Sequence, residues 1–309
     1  MKKLILLLLA TSLLFITSCE LFTDEPTKNG KIYSVIIGLD YTNTSYDHLS
    51  GTINDANELR QAFTEVARKD GRGYTNYQMI QEENTVPLIP STSYPSKSNV
   101  KSRLNDLANI TTEDDLTILT YSGHGVEQSG DLIFGRTSPA TDNFMSVTEL
   151  LISMSNIKGK KLVILDSCYS GMFVESSPSS TSTVLENSIN KFFETYYSSD
   201  KYGKPDLFVL TASAHAKSYE KYFADYSHSH GIFTYALLQA LGWDHPHPSD
   251  IKKTYPPAAQ NGRITVDGLY RYIIKNQLLD LKFKLINYSG YHQHPLTTGG
   301  PLDLVLFNL

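Results

Sequence analysis

Cysteine is nearly absent, with two among 309 residues, Cys19 and Cys168. Once Cys19 is engaged elsewhere, Cys168 has no partner for an internal disulfide. An unpaired thiol in an exported protein raises the question of reactivity. Tryptophan occurs once, at Trp243, and reads as packing at a helix end. No charge sign dominates: the net charge is -5, from 27 Lys+Arg against 32 Asp+Glu. The basic stripe of a nucleic-acid binder is missing, so no nucleic-acid partner is expected. Long apolar runs are scarce too. The longest, Leu4 to Ile16, is too short to cross a bilayer comfortably. There is no internal repeat.

That run follows Met1-Lys2-Lys3 and reads as the core of a signal peptide over residues 1–18. It ends in Ile16-Thr17-Ser18-Cys19, which resembles the lipobox of bacterial lipoproteins. The resemblance implies cleavage before Cys19 and lipidation of its thiol and new amino terminus. The protein would then be exported and held on a bacterial envelope membrane without a spanning helix. Residues 19–30 are polar and form the tether. Residues 31–309 are long enough for one large α/β domain with a well-buried core.

Within that domain, apolar runs rich in β-branched residues predict buried strands at Ile32–Leu39, Leu116–Tyr121, Lys161–Asp166 and Asp206–Thr211. Shorter strands are predicted at Tyr77–Ile80 and Leu132–Phe134, and a last one at Leu302–Phe307. Helical spacing marks the segment from Ile53 to Val66, Asn99–Leu107, Val147–Met154, Gly231–Leu241 and Val266–Leu279. A Ser-rich loop at 175–183 and a helical segment at 184–200 read as an insertion. Strands alternating with helices imply a mainly parallel sheet with helices on both faces.

In such sheets, sites form beyond the carboxyl ends of the strands. Two strands here run straight into reactive residues. One leads into Ser122-Gly123-His124-Gly125, the other into Ser167-Cys168-Tyr169-Ser170-Gly171. A thiol attacks as thiolate, and a nearby imidazole promotes that state and then protonates the leaving amine. Gly123 and Gly125 let the backbone turn sharply and approach a substrate. The amides of Gly125 and Cys168 are the expected donors to the developing oxyanion, typically worth roughly 3–4 kcal/mol each.

These two segments resemble the His and Cys motifs of caspase-like cysteine peptidases, metacaspases included. The segments Leu49–Leu59, Leu210–Ala214, Gly231–Leu241 and His294–Gly299 are similar to other parts of that family, in the same order. The resemblance implies a caspase-like three-layer sandwich with a sheet of about six strands. It also implies a Cys168–His124 dyad acting on a peptide or protein substrate. In metacaspases an acidic pocket takes Arg or Lys; the matching positions are Asp55, Ser122 and Asp166. A carboxylate pair facing a guanidinium makes charge-assisted, bidentate hydrogen bonds. Caspases proper select Asp through Arg residues, and only Arg136 offers a weak counterpart. Many metacaspases carry His where this chain has Tyr169. Acidic residues after Cys168 are scattered, so calcium activation has no support and no cofactor is expected. Oligomeric state stays open.

Six of the remaining histidines form the pairs His228/His230, His245/His247 and His292/His294. The first two pairs read as solvated surface, without a third metal ligand, and His294 as structural. Two rival readings stand beside a peptidase cutting after Arg or Lys. One is a related peptidase with Asp or Asn preference; the other is a binding module of the same fold.

Overall fold

The computed structural model describes residues 29–42, 44–81, 93–126, 129–134, 143–167, 206–212, 218–223, 228–247, 250–285, 293, 295–299 and 302–309. The signal segment, Cys19, Arg136, Cys168, Tyr169, the Ser-rich loop and the predicted helical segment 184–200 lie outside them.

Apolar residues on both sides of a strand require helices on both sides of its sheet. Strand β1 (Lys31–Leu39) is buried from Ile32 onward. It is followed by helix α1 (Thr52–Asp70) and strand β2 (Gly73–Gln81). Next come α2 (Lys97–Ile110), β3 (Leu116–Gly123), the short pair β4 (Leu132–Ile133) and β5 (Phe144–Met145), and α3 (Val147–Ser155). Strands β6 (Lys160–Ser167) and β7 (Leu207–Thr211) complete the buried parallel set. A hairpin, β8 (Glu220–Phe223) and β9 (His228–Gly231), leads into α4 (Ile232–Ala240). A second hairpin, β10 (Trp243–His247) and β11 (Asp250–Lys253), precedes β12 (Arg263–Thr265), α5 (Val266–Leu285), β13 (Leu296–Gly299) and β14 (Val305–Asn308).

The main sheet runs β13-β7-β6-β3-β1-β2. All neighbours are parallel except β13, which lies antiparallel on β7. Side chains alternate across a strand with a period of two, and two cores result. Ile32, Ile36, Ile118, Leu162 and Ile164 pack with Ala56, Leu59 and Phe63 of α1, Leu237 of α4 and Leu269 of α5. Val35, Ile37, Leu119, Val163 and Leu165 face Val100 and Leu104 of α2 and Leu150 of α3. This is the expected α/β sandwich of three layers. Truncating fully buried Phe63 to Ala should cost about 3–5 kcal/mol.

Local signals fix the helix ends. Gly71, at φ 83, closes α1 and donates to Ala67 O. The Ser96 hydroxyl accepts from Asn99 N at the start of α2, and Ser146 with Glu149 forms a capping box on α3.

Two sequence expectations change. The edge strand β2 is longer than Tyr77–Ile80; polar Thr75, Asn76 and Gln78 interrupt its apolar residues and hide the signal. The last strand is shifted to Val305–Asn308 and pairs antiparallel with β12, outside the main sheet. The sixth sheet strand comes instead from Leu296–Gly299. Among the described residues no helix is long and apolar enough to cross a membrane.

Candidate active site

The register of β3 and β6 sets the site. Ser122 pairs with Asp166 and Gly123 with Ser167. His124 and Cys168 are the residues that follow that last pair, on neighbouring parallel strands spaced about 4.8 Å apart. Cys168 itself, and with it the amide expected in the oxyanion hole, lies outside the described residues.

His124 sits in a frame of main chain and tyrosine. Its ring Nε2 lies 2.7 Å from Asp47 O. A carbonyl only accepts, so Nε2 carries a proton and Nδ1 is left to exchange one. Tyr41 has φ 61, a left-handed turn at the end of β1. Its ring lies 4.5 Å from the imidazole, centroid to centroid. The Tyr41 hydroxyl accepts the His124 N–H at 2.8 Å and donates to Ile133 O at 2.5 Å. The Tyr121 hydroxyl, 2.9 Å from that of Tyr41, donates to His124 O at 2.7 Å. Gly123 is not the sharp turn expected from sequence; it ends strand β3. Its lack of a side chain serves close approach instead. A Cβ there would lie 2.6 Å from the Tyr41 oxygen and 2.8 Å from that of Tyr121. Gly125 bridges Leu132. The bonds of that bridge belong to the flanking residues, Ile133 N to His124 O and Val126 N to Asp131 O. The pairing therefore does not use the Gly125 N–H.

The alternation that buries Ile118 and Ile164 against α1 also turns Ser122 and Asp166 to the same face. There they meet Asp55 of α1. Ser122 Oγ donates to Asp55 Oδ2 at 2.7 Å, and Gly231 N donates to both Asp55 oxygens at 3.3 Å. Asp166 accepts from Ser218 Oγ at 2.5 Å, and from Thr234 Oγ1 at 2.7 Å and Thr234 N at 3.1 Å. Gly231 N and Thr234 N belong to the first turn of α4, whose dipole favours nearby anions. Both carboxylates thus collect at one helix end. Gly231 permits this: a Cβ would fall 2.2 Å from Asp166 Oδ2 and 3.2 Å from Asp55 Oδ2. The three residues named from sequence, Asp55, Ser122 and Asp166, line one cleft.

Three further groups were not read from the sequence. Glu220, at the start of β8, lines the same cleft. It accepts from Gly51 N at 2.8 Å and from Ser50 N at 3.1 Å. His230 was expected on the surface but is fully buried. Its Nδ1 lies 2.8 Å from Asp55 Oδ1 and its Nε2 3.5 Å from Glu58 Oε1. The reason is its position in β9, which packs on α1. Gln293, also fully buried, accepts from Tyr219 N and lies 3.5 Å from Ser218 Oγ, behind Asp166. The one signal in the sequence was the order Glu220, His230, Gly231, just before the apolar helix. Trp243 packs just past α4, as expected, and also donates to Glu58 Oε2 at 3.2 Å. The side chains of His228, His245, His247, His292 and His294 lie outside the described residues.

Burial pushes the carboxylates up. Asp55 rises to about 7, against the lowering effects of His230 and Ser122. Asp166 is raised by burial despite its bonds to Ser218 and Thr234. Glu220 is raised by burial and by the nearby charge of Asp166, against its backbone bonds. For His230 burial acts downward, but Asp55 and Glu58 outweigh it and hold the ring up at about 9. Among the described residues no three His, Cys, Asp or Glu are arranged to hold a metal ion.

A mainly parallel sheet between two helical layers, with a carboxylate-lined cleft at the carboxyl ends of its inner strands, defines a three-layer α/β class of protein. The chain belongs to the caspase-domain family, whose sequence profile matches residues 32–256. The family is one of cysteine peptidases. A solved structure of a protein from Geobacter sulfurreducens is similar over 90% of this chain and 99% of its own, at 16% identity and a TM-score of 0.50. Caspase-1 from Spodoptera frugiperda is similar over 89% and 90%, at 12% identity and a TM-score of 0.51. At those identities the shared property is the fold. No curated protein sequence gives a significant match.

Proposed function

We propose that the protein is a cysteine endopeptidase that cuts after Arg or Lys, with Cys168 as nucleophile and His124 as its acid–base partner. The thiolate of Cys168 attacks the scissile carbonyl carbon. As the tetrahedral adduct collapses, the C–N bond breaks and His124 gives a proton to the leaving amine. Water then hydrolyses the thioester, with His124 taking its proton. The amides of Gly125 and Cys168 face the oxyanion. Thiol and imidazole suffice for these steps, so no cofactor is invoked.

The observation that carries the specificity is the cleft beside His124. Asp55, Asp166 and Glu220 converge there, and all three are driven toward their protonated forms by burial. A guanidinium or ammonium entering the cleft restores their charged forms and supplies the missing donors. An Asp side chain would add a further negative charge.

Fluorogenic peptides ending in Arg, Lys, Asp or Asn, with wild type and Cys168→Ala, test the proposal. Thiol-dependent cleavage of the Arg and Lys peptides is expected. Preferred cleavage of the Asp or Asn peptide would overturn the specificity. Absence of all thiol-dependent cleavage, with and without calcium, would leave a binding module.

The same proposal places the protein on a bacterial envelope membrane through lipid on Cys19. The polar tether joins β1 at Lys31, at the amino end of the sheet. His124 follows the carboxyl end of β3, so the cleft would face away from the membrane. Mature protein should partition into detergent, and Cys19→Ser should release it. Unchanged partitioning would defeat the anchor.

A further inference from the structure

His230 takes no part in the reaction outlined above, yet it is the most enclosed ionisable base near the site. Its exposure is 0%. Both of its ring nitrogens face carboxylates. Nδ1 is 2.8 Å from Asp55 Oδ1, and Nε2 is 3.5 Å from Glu58 Oε1. With both carboxylates ionised neither can donate, and a ring between them then holds both protons. Glu58 is itself held, through its other oxygen, by the indole N–H of Trp243 at 3.2 Å.

The groups around the ring come from several elements. Asp55 and Glu58 belong to α1, and Asp166, whose charge is also felt at His230, to β6. The ring of Tyr235, on α4, lies 5.8 Å away. Glu220, on β8, faces Asp166 rather than the imidazole. Three carboxylates, Asp55, Glu58 and Asp166, therefore share one buried imidazole. Remove it, and Asp55, with no exposed surface and the like charge of Asp166 nearby, loses the cation among the described residues that favours its ionised form.

We infer that His230 is a positioning residue for substrate selection: wedged between Glu58 and Asp55, it favours the ionised form of Asp55 and holds that carboxylate, with Ser122 and Gly231, at the cleft that takes the basic side chain. The inference rests on the Arg/Lys reading of that cleft and adds the device that keeps it charged. The chain Glu58–His230–Asp55 opposes the burial that drives this carboxylate toward its protonated form. The ring's tendency to stay protonated to about pH 9 accords with this geometry.

The test uses the full-length protein and the Arg peptide. His230→Asn keeps a donor toward Asp55 but removes the charge. At pH 7 its KM should rise about 10- to 100-fold, the scale of one charge-assisted hydrogen bond, with kcat nearly unchanged. The deficit should shrink toward pH 9, as Asp55 ionises unaided. Glu58→Gln should give the same pattern with a smaller amplitude. The rate at which iodoacetamide labels Cys168 reports whether each variant is folded at the catalytic centre. An unchanged KM and pH profile, or a fall in kcat alone, would overturn the inference while leaving the Arg/Lys reading in place. Wild type that ignores Arg and Lys peptides would instead overturn that reading. Independently of cleavage, the 15N shifts of the His230 ring in wild type should stay those of imidazolium at pH 8. A ring that titrates in the ordinary histidine range, near 6.5, overturns the inference even if His230→Asn fails to fold.

Discussion

At the amino end of the sheet, Lys161 at the start of β6 is almost wholly buried. Its ammonium reaches Asp206 Oδ2 at 2.9 Å and the carbonyls of Ile157 and Gly159 at 2.9 and 2.7 Å. Nearby, Arg72 grips both oxygens of Asp70 and the carbonyl of Leu306. Both of these charges meet their opposites. At the carboxyl end the balance fails among the described residues: Asp55, Asp166 and Glu58 share the imidazole of His230, and Glu220 adds to the charge of Asp166. Buried charge that is paired serves the fold, whereas a surplus of one sign costs stability unless a ligand completes it. The difference marks the carboxyl end as the place where the proposed cationic guest would bind.

The largest effect that could break this contrast lies just beyond it. Cys168→Ala should lower kcat by about 10^4-fold or more while the circular dichroism spectrum stays that of wild type. Residual thiol-independent turnover near wild-type level would remove the premise that the carboxyl end is catalytic. Next, Asp166→Asn should reduce kcat/KM for an Arg peptide by about 10- to 100-fold, from the loss of a charge-assisted contact. If peptides with neutral residues suffer equally, the surplus charge is not what selects.

A third comparison uses pH. Raised carboxylates keep protons in the folded state that the unfolded chain has already released. Asp55, near 3.8 unfolded and about 7 folded, therefore adds stability that is present below pH 3.8 and lost as pH rises to about 7. His230 acts with the same sign, its share being lost between 6.5 and about 9. Thermal unfolding should shift down by a few degrees from pH 5 to pH 8, on the order of 1–2 kcal/mol. A guanidinium compound such as agmatine should recover more of that loss at pH 8 than at pH 5. Equal rescue at both values would show that the cleft carries no surplus negative charge. The smallest expected effect on function comes from the other end. Lys161→Met should lower stability by about 1–3 kcal/mol and leave kcat/KM of the folded enzyme unchanged. A change in kcat/KM would mean that the two ends are not separable.

Much of this could be read before any coordinates. The four inner strands are short segments dominated by Ile, Val and Leu, and such segments have few alternatives. His124 and Cys168 stood out because each directly follows one of those runs. Asp55 and Asp166 were found through family resemblance, since a lone carboxylate at a strand or helix end carries no local signature. Glu220 and His230 carry no periodic sequence signal because β8 and β9 form a hairpin of two four-residue strands without apolar alternation. In His228-Ser229-His230 the sequence looks like a solvated loop; only its packing on α1 buries the second ring. The sixth sheet strand was misplaced for a related reason. Leu296–Gly299 is short and Thr-rich, whereas the more apolar Leu302–Phe307 attracted the assignment.

One contact of His124 has a consequence for inheritance. Its orienting partner is the main-chain carbonyl of residue 47, which every amino acid possesses. No ordinary replacement of Asp47 can delete that acceptor, so a mutational scan should find the position tolerant. The vulnerability moves to the side chains that pin the loop in place. Thr44 Oγ1 holds Tyr41 O at 2.7 Å, Asp40 Oδ1 holds Thr42 N at 2.8 Å, and Thr52 Oγ1 holds Leu39 O at 2.6 Å. Variants at these threonines and at Asp40 should be the ones purged from a population, although none of them touches the imidazole.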